Sequence, residues 1–449
     1  MFLLGTPACI QLKGAGAVLK QLLSVIIVVD QVALLTVAFY YLMISLAGLW
    51  PFPGRRLPPI SINRLPRFLC LTMAHDEEAV IAEHVRNLRA MDYPGDRFDI
   101  VVVADNCTDR TAEIARDEGA QVWRRTSLTK RGKGHALSWA LYERADLSAY
   151  DAVCVTDADN LVDRNFFSEM ARDIREGHEA VQAYLDTKNP RDGWVSMSYA
   201  SSYWFMNRFW QRARVRLGLS GALGGTGFCI TTGLLNRLPW KATSLTEDLE
   251  YSTQVVLAGG RVFWTPRTRI YDEKPLTLAQ SLPQRVRWLR GHWNAAFHYS
   301  FRLFLAILTG PFRTRLRAFD YLIYLWQPLL ILLTGLNLLL VPVQVIAHHW
   351  YSPWLADVLP IPIWYWIVGT GLLLPLLAFA LEDADWFSFL YYPAFLIFNL
   401  TWILVAAIGL LQHRDGNWSH TRHTRSISYL ELEVRSEGVG ISANETAAR

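Results

Sequence analysis

Long apolar runs near both ends of the chain constrain its fold more than any other feature. A helix of about 20 apolar residues can cross the hydrocarbon core of a bilayer. Four runs approach or exceed that length: Leu22 to Trp50, Tyr321 to Ile346, Ile361 to Leu381 and Phe387 to Leu411. Because 52% of the 449 residues are hydrophobic and 19% are charged, the composition is too apolar for a wholly soluble protein of this size. We predict one membrane span before a central domain and three after it.

The central segment, from Arg55 to about Leu282, predicts an α/β domain. Short β-branched runs such as FLCLTMAH, DIVVVAD and DAVCVTDAD alternate there with helical patterns, which is typical of a parallel sheet flanked by helices. The stretch from Gln284 to Leu308 mixes basic and aromatic residues at helical spacing, as a helix in the membrane interface does. The predicted regions are 1–54 (N-terminal segment and first span), 55–282 (α/β domain), 283–318 (interfacial helices), 319–412 (three spans) and 413–449 (polar tail).

Basic residues near the span ends predict that the central domain is cytosolic. Arg55 and Arg56 follow the first span, and Arg313 precedes the second; such residues are enriched on the cytoplasmic side of membranes. Four spans would place both chain ends on the far side. Arg422 and Arg425 in the tail argue against that arrangement.

Charge and cysteine content exclude two other classes of protein. The formal net charge of +4 is too small for a nucleic-acid binder, which carries a strongly basic stripe. The five cysteines form no CxxC pair, so they indicate neither a zinc site nor a disulfide framework. We expect reduced thiols at Cys9, Cys70, Cys107, Cys154 and Cys229.

Carboxylates stand at the ends of the first two predicted strands. Asp76 and Glu77 follow the first strand, and Asp105 ends the second, with Asp109 shortly after it. Ligands of an open parallel sheet bind beyond the carboxyl ends of its strands, so these side chains can meet a ribose or a base edge. Aspartate at such positions also caps helices, which is the simpler interpretation for Asp76 and Asp109.

A basic glycine-containing loop, Lys130-Arg131-Gly132-Lys133-Gly134, precedes a predicted helix that starts at His135. Cations, close backbone approach and a helix N-terminus together suit a diphosphate. A solvated basic turn is the alternative interpretation. The loop is not a P-loop, because GxxxxGK[ST] is absent.

A DxD pair follows the next apolar strand. Asp157 and Asp159 come directly after AVCVT. Two carboxylates so placed make an oxygen-rich site for Mg²⁺ or Mn²⁺, which needs few protein ligands when phosphate oxygens supply the rest. Together with the basic loop, the pair predicts a site that neutralises a departing nucleotide diphosphate.

Three further motifs follow in order along the chain. They are Gly224-Gly225-Thr226-Gly227-Phe228, Thr246-Glu247-Asp248 and Gln284-Arg285-Val286-Arg287-Trp288. Each alone has a structural explanation: a glycine turn, a capped helix start and an amphipathic interfacial helix.

With these motifs in this order, the chain resembles the family 2 glycosyltransferases from about Arg67 to Trp293. The resemblance is to their membrane-integrated branch, which includes chitin-oligosaccharide, hyaluronan, poly-N-acetylglucosamine and cellulose synthases and ceramide glucosyltransferase. It implies an α/β, Rossmann-like GT-A domain inserted between an N-terminal transmembrane helix and a C-terminal helical membrane bundle with an interfacial helix. The turns AHDEE and DNCTD depart from the commoner forms of the family's motifs, which blurs assignment to a subfamily.

The resemblance also implies a role for each motif residue. Asp248, with Glu247 beside it, is the expected catalytic base, and Asp159 is the expected ligand of Mg²⁺ or Mn²⁺. The residues expected to bind the nucleotide sugar are Asp76, Glu77, Asp105, Lys130, Lys133, Asp157 and Arg287. The residues expected to bind the acceptor are Gln284, Trp288, Gly225, Thr226 and Gly227.

The function implied is inverting transfer from a UDP-hexose or UDP-N-acetylhexosamine to a growing β-linked polysaccharide, which the enzyme moves across the plasma or inner membrane. The alternative is transfer of one sugar to a membrane lipid. A transporter or scaffold with an inactive nucleotide-binding domain is a third hypothesis, against which the intact Asp159, Asp248 and Arg287 argue. Expected partners are the UDP-sugar, the polysaccharide or lipid acceptor and membrane lipids, with no nucleic acid; homo-oligomers and export partners are left open.

Three other features have mainly structural explanations. The aromatic stretch from Tyr199 to Trp210 is expected to pack a helix. Trp293 is expected to anchor the chain at the membrane interface, where tryptophan is enriched. Asp30 either faces a polar path through the membrane or marks the start of the first span.

Overall fold

The computed structural model describes residues 7–51, 65–346, 361–382, 384–416 and 427–432. Arg55 and Arg56, which led to the predicted orientation, lie outside the described residues, as do Arg422 and Arg425, which argue against a C-terminus on the far side.

An eight-stranded sheet forms the centre of the fold. Its strands are β1 Phe68–Ala74, β2 Phe98–Asp105, β3 Gln121–Arg125, β4 Ala152–Asp157, β5 Leu161–Val162, β6 Ala180–Thr187, β7 Phe228–Thr231 and β8 Val262–Asp272. Their order across the sheet is β3-β2-β1-β4-β7-β6-β8-β5.

The sheet is mixed, which corrects the prediction of a parallel sheet. The four strands from β3 to β4 are parallel, but β7 runs antiparallel to both β4 and β6. Strand β8 is again parallel to β6, and β5 is antiparallel to β8. The sequence motifs of β1, β2 and β4 therefore still meet at one edge, because their carboxyl ends point the same way.

Both faces of the sheet are buried, because its strands carry apolar side chains on both sides. In β1, Phe68 and Cys70 enter one core cluster, and Leu69 and Leu71 enter the cluster on the opposite face. Helices cover each face. Within the sheet domain, defined as residues 65–277, they are α2 Ile81–Arg89, α3 Thr111–Asp117, α4 Lys133–Trp139, α5 Phe166–Arg175, α6 Trp194–Phe205, α7 Ala213–Arg216, α8 Thr232–Arg237 and α9 Glu247–Leu257.

Longer helices flank the sheet domain. They are α1 Pro7–Leu46 before it, and α10 Leu278–Thr309, α11 Phe312–Leu325, α12 Gln327–Ile346, α13 Ile361–Leu381, α14 Trp386–Leu390 and α15 Tyr392–Leu411 after it. Among the described residues, Val25–Leu49 and Tyr392–Leu411 are long and apolar enough to cross a membrane.

The predicted second span, Tyr321 to Ile346, is not one straight helix. It is divided between α11 and α12, which meet at Trp326 with a bend of 47°. Helix α11 buries Asp320 and Tyr321 against the rest of the protein, and Asp320 pairs with Arg214 of α7. The start of the apolar run therefore belongs to a helix that packs on the sheet domain.

Two aromatic predictions have different outcomes. Trp293 is 1% exposed and donates its indole N–H to the carbonyl of Ala406 at 3.1 Å. It therefore packs between α10 and α15, and its prediction as an interface anchor is wrong. The stretch that includes Tyr199, Trp204 and Trp210 is buried as predicted.

Candidate active site

Asp105 lies at the carboxyl end of β2, where Arg125 of the neighbouring strand reaches it. The strand register places Arg125 opposite Asp105, and its guanidinium lies 2.5 Å from the carboxylate. The guanidinium also donates to the carbonyl of Lys130 at 2.6 Å, which ties β3 to the basic loop. Burial raises the pKa of Asp105, and Arg125 opposes that rise.

The basic loop delivers one lysine into the site. Lys133 is the first residue of α4 rather than the predicted His135, and Gly132 before it has φ +102°. The Lys133 ammonium contacts the carboxylate of Asp157 and donates to the carbonyl of Gly225 at 2.6 Å. Burial lowers the pKa of Lys133, but nearby carboxylates outweigh burial and raise it. Lys130 is exposed.

The glycine motif fixes the DxD turn. Thr226 is buried, and its hydroxyl accepts a hydrogen bond from the backbone N–H of Asp157 at 3.0 Å. Asn160 accepts a second bond from the same N–H at 2.9 Å and also contacts the Thr226 hydroxyl. Gly227 has φ +65°, and a Cβ there would overlap Ile270 at 2.4 Å. Thr226 and Gly227 thus fix the position of the DxD turn.

Asp159, the second carboxylate of the DxD pair, is buried beside the end of β8. It accepts from the N–H of Glu273 at 3.1 Å and from Asn160 at 3.2 Å. Its own carbonyl accepts from Lys188 at 2.6 Å. Carboxylate oxygens from Asp157 and Asp159 are hard donors, and this donor set fits Mg²⁺ or Mn²⁺.

The first βα turn is linked to the second. Asp76 accepts from the N–H of Thr108 at 2.6 Å and has φ +54°, and the buried Glu77 donates its N–H to Thr111 at 2.7 Å. Asp76, Cys107 and Asp109 form the one group of three possible metal ligands among the described residues. Hydrogen bonds from backbone N–H groups of each turn to the Asp76 and Asp109 carboxylates of the other account for that grouping.

The pair Glu247 and Asp248 opens α9 as predicted. Glu247 is buried, whereas Asp248 is half-buried and its Oδ2 lies 3.5 Å from where a Cβ on Gly225 would be. Burial, and then the charge of Asp248, raises the pKa of Glu247 to about 7. Burial also raises the pKa of Asp248, while Lys133 and Arg287 lower both.

Arg287 of α10 faces these carboxylates. Its charge acts on Glu247, Asp157 and Asp248, and its Nε is buried without a hydrogen-bond partner among the described residues. A buried guanidinium N–H without an acceptor favours an anion at this place. The site therefore combines Lys133 and Arg287 as cations with three carboxylates.

Trp288 and Gln284 lie on the same helix as Arg287. The rings of Trp288 and Tyr199 meet edge to face at 6.2 Å, and the Tyr199 hydroxyl donates to Gln284 at 3.3 Å. The ammonium of Lys274 lies 5.9 Å from the Trp288 ring and contacts Tyr203 and Asp272. An aromatic surface thus borders the charged site.

Sequence motifs missed three of these contacts, made by Arg125, Asn160 and Lys274. Arg125 ends a strand, as Asp105 does, so its place at a carboxyl strand end was a usable signal. Asn160 directly follows the DxD pair, but its contact with Thr226 depends on the pairing of β4 with β7. No sequence pattern predicted the contacts of Lys274, because its aromatic partners come from α6 and α10.

Comparison with known proteins identifies the family. The family described as "Glycosyltransferase like family 2" matches residues 66–291, half of the chain. The chain belongs to this family. The match includes every predicted site residue, from Asp76 to Trp288.

Two of the curated relatives of this family 2 glycosyltransferase have names that differ in the acceptor they imply. A beta-monoglucosyldiacylglycerol synthase from Synechocystis is 27% identical over 238 residues, which cover 52% of this chain and 49% of that protein. A poly-beta-1,6-N-acetyl-D-glucosamine synthase from Staphylococcus aureus is 25% identical over 243 residues, 52% of this chain and 56% of that protein. The chain therefore spans about half the length of these relatives.

A solved structure has the same fold as this family 2 glycosyltransferase. A mannosyltransferase from Pyrobaculum calidifontis, in complex with GDP-Man and Mn²⁺, superposes with a TM-score of 0.54 at 19% sequence identity. The match covers 87% of this chain and all of the other. The predicted GT-A fold is confirmed, with a mixed sheet and with apolar helices before and after it that are long enough to cross a membrane.

Proposed function

We propose that this family 2 glycosyltransferase transfers a hexose or N-acetylhexosamine from a UDP-sugar with inversion and extends a β-linked polysaccharide at a cytosolic site. The observation that carries the proposal is the facing arrangement of Glu247 and Asp248 with Lys133 and Arg287. This arrangement offers a base and a cationic binding place for a diphosphate within one half-buried site.

Each residue of the site has its own role in the proposed reaction. An acceptor hydroxyl is a weak acid, so the Asp248 carboxylate takes its proton as the oxygen bonds to the anomeric carbon. The bond from that carbon to the diphosphate oxygen breaks on the opposite face, and UDP leaves with the bonding electrons. Lys133 and Arg287 stabilise the charge that gathers on the diphosphate. Trp288 presents an apolar ring face to an acceptor sugar.

Replacing the base tests the proposal. We expect Asp248→Asn to lower transfer by at least about a hundredfold, the contribution typical of a positioned base, and to leave UDP binding nearly unchanged. Transfer is followed by UDP release from purified enzyme, and binding by calorimetry. The exposed Asp117→Asn is the matched control, since it makes the same chemical change far from the site. Full transfer by Asp248→Asn would exclude Asp248 as the base.

We propose that Asp159 holds Mg²⁺ or Mn²⁺ when the donor is bound. Such an ion supplies positive charge to the diphosphate oxygens. We expect EDTA to abolish UDP release, either ion to restore it, and Asp159→Asn to prevent the restoration. Turnover that is indifferent to EDTA would remove this role.

A lipid acceptor is the second candidate, favoured by the likeness to a monoglucosyldiacylglycerol synthase. The two candidates differ in product. Incubation with a panel of UDP-sugars should give a high-molecular-weight product from one donor if the enzyme is a polymerase. A single-sugar adduct that appears only when diacylglycerol is added would identify the lipid enzyme.

A further inference from the structure

We propose that α15 does not cross the bilayer but lies along the membrane surface on the side of the sheet domain, with its outer face in contact with the acyl chains of that leaflet. Length and apolar composition alone would allow α15 to cross. The contacts at both ends of α15 favour a helix that lies along the membrane surface.

The chain that enters α15 is held to the sheet domain. Glu382, at the end of α13, pairs with Arg208 and accepts a hydrogen bond from the Tyr184 hydroxyl at 2.8 Å. Asp385, before α14, pairs with Arg191. The N-terminal end of α15 therefore lies on the side of the sheet domain.

The chain that leaves α15 is held on the same side. The carboxylate of Asp415 lies 2.9 Å from the guanidinium of Arg290. Arg290 is three residues from Arg287, which is about 4.5 Å along a helix, so this contact is level with the charged site. Farther along, the Tyr429 hydroxyl donates to Asp163 of the sheet domain at 3.3 Å. A helix that crossed the bilayer would have its ends about 30 Å apart on opposite faces.

Between its ends, α15 runs alongside α10. Arg285 donates to the Thr401 hydroxyl at 2.7 Å, and Trp293 donates to the Ala406 carbonyl at 3.1 Å. Residue numbers rise together in both helices, so they run in parallel. Because α10 carries Arg285 and Arg287 within its first three turns, it is too polar to cross a bilayer. A helix that follows α10 shares its orientation.

The other apolar helices, α1, α12 and α13, each have one described end near the sheet domain. Helix α1 leads from Gly48, which contacts Arg208, to Asp30, about 27 Å along its own axis. There Asp30 accepts a hydrogen bond from Asn337 of α12 at 3.3 Å. Helix α12 reaches Asn337 after passing α15, since a Cβ on Gly335 would meet Ile403 at 2.5 Å. With α1, α12 and α13 as the crossing helices, the C-terminal tail lies on the side of the sheet domain. Arg422 and Arg425 in the tail agree with a cytosolic location.

The outer face of α15 supplies the lipid contact. Ile397, Leu400 and Leu404 are each more than half exposed, and their spacing of three and four residues forms one stripe on a helix. An apolar stripe on a helix whose opposite face packs on protein is the arrangement that enters the boundary between headgroups and acyl chains.

Cysteine accessibility of the full-length protein in spheroplasts tests the proposal. The background variant is Cys9→Ser. Into it we introduce one new cysteine at a time: Ser352→Cys between α12 and α13, Ala384→Cys before α15, or Gly416→Cys after α15. The protein reacts with a membrane-impermeant maleimide, and mass spectrometry identifies the labelled cysteine. We expect labelling in intact spheroplasts at position 352 alone, with 384 and 416 labelled only after permeabilisation. Labelling at 416 but not at 384 in intact spheroplasts would overturn the proposal.

Depth measurements give an independent readout that requires no enzymatic activity. A fluorophore on Ile397→Cys, Leu404→Cys or Leu411→Cys is quenched in liposomes by lipids brominated near to or far from the headgroup. We expect all three positions to lie at the same shallow depth. Deeper quenching at 404 than at 397 and 411 is the result for a crossing helix and would exclude a surface helix.

Discussion

At the scale of single residues, the pair Glu247 and Asp248 makes transfer depend on pH near neutrality. The proposed base, Asp248, acts only when ionised, and its neighbour Glu247 has a pKa that burial and then the charge of Asp248 raise to about 7. Because the two carboxylates titrate together, we expect UDP release to rise between about pH 6 and about pH 8. Glu247→Gln removes one of the two charges, so the midpoint should move to lower pH. A profile that is identical in both proteins would contradict this coupling.

The same variant has a second readout in stability. A carboxyl group whose pKa is higher in the folded chain holds its proton more tightly there, so its contribution is complete below about pH 4.5 and is lost as the pH rises through about 7. Glu247→Gln should therefore raise the unfolding temperature at pH 8 and change it little at pH 4.5. Calorimetry at the two pH values measures the difference.

The residues found from sequence are those whose motif lies at a strand or helix end. Asp157 and Glu247 stand next to the elements that position them, and the charges of both act on Lys133. The contact of Lys274 with Trp288 depends instead on packing between elements far apart in the chain. No short pattern records such packing.

At the scale of elements, the contact between α9 and α10 is close because Gly291 lacks a side chain. A Cβ at Gly291 would lie 2.5 Å from the Thr246 hydroxyl, directly before Glu247. We expect Gly291→Ala to move α10 away from α9 and to lower transfer by roughly tenfold to a hundredfold, because small displacements of positioned groups are costly.

A matched substitution separates this effect from helix propensity. Alanine is preferred to glycine inside helices by about 1 kcal/mol, and Gly369 of α13 has no atom within 4 Å of a built Cβ. Gly369→Ala should keep full activity and an unchanged or higher unfolding temperature. If Gly291→Ala behaves in the same way, the close contact is unimportant.

The direction of β7 was predicted wrongly and the break between α11 and α12 was not predicted, for the same physical reason. The direction of β7 and the break between α11 and α12 depend on what each segment packs against rather than on its own hydropathy. The apolar pattern of β7 is the same in either direction, and Tyr321 is buried by the sheet domain rather than by lipid. Hydropathy indicates that a segment is buried, but it does not show whether protein or lipid buries it.

At the scale of the whole molecule, a buried ion pair joins α13 to the sheet domain. Breaking such a pair from one side leaves a buried charge without compensation. We expect Glu382→Gln to lower the free energy of unfolding by about 3 kcal/mol, measured by denaturant unfolding in detergent. The neutral amide leaves the Arg208 guanidinium without an opposite charge, and it has one acceptor oxygen where the carboxylate has one for Arg208 and one for the Tyr184 hydroxyl.

The neighbouring pair provides the control. Arg191 is 55% exposed beside Asp385, and exposed pairs contribute less than about 1 kcal/mol. Asp385→Asn also preserves the cap on Ser388, since asparagine accepts the same bond. Equal losses from both variants would show that burial does not set the strength of these contacts.

The proposed number of crossing helices differs from the number predicted from the sequence. Four apolar runs predicted four spans, whereas the proposal that α15 lies along the membrane surface depends on contacts at both of its ends, made by Glu382, Asp385 and Asp415. The tail arginines were the one sequence signal against four spans.

The contact between Asp30 and Asn337 also has a consequence for how the chain is made. The two residues are 307 positions apart, and ribosomes add about 5 to 20 residues each second. Asp30 is therefore synthesised roughly 15 to 60 seconds before its partner exists. During that interval the Asp30 carboxyl group needs a different hydrogen-bond donor, such as water, a lipid headgroup or the insertion machinery.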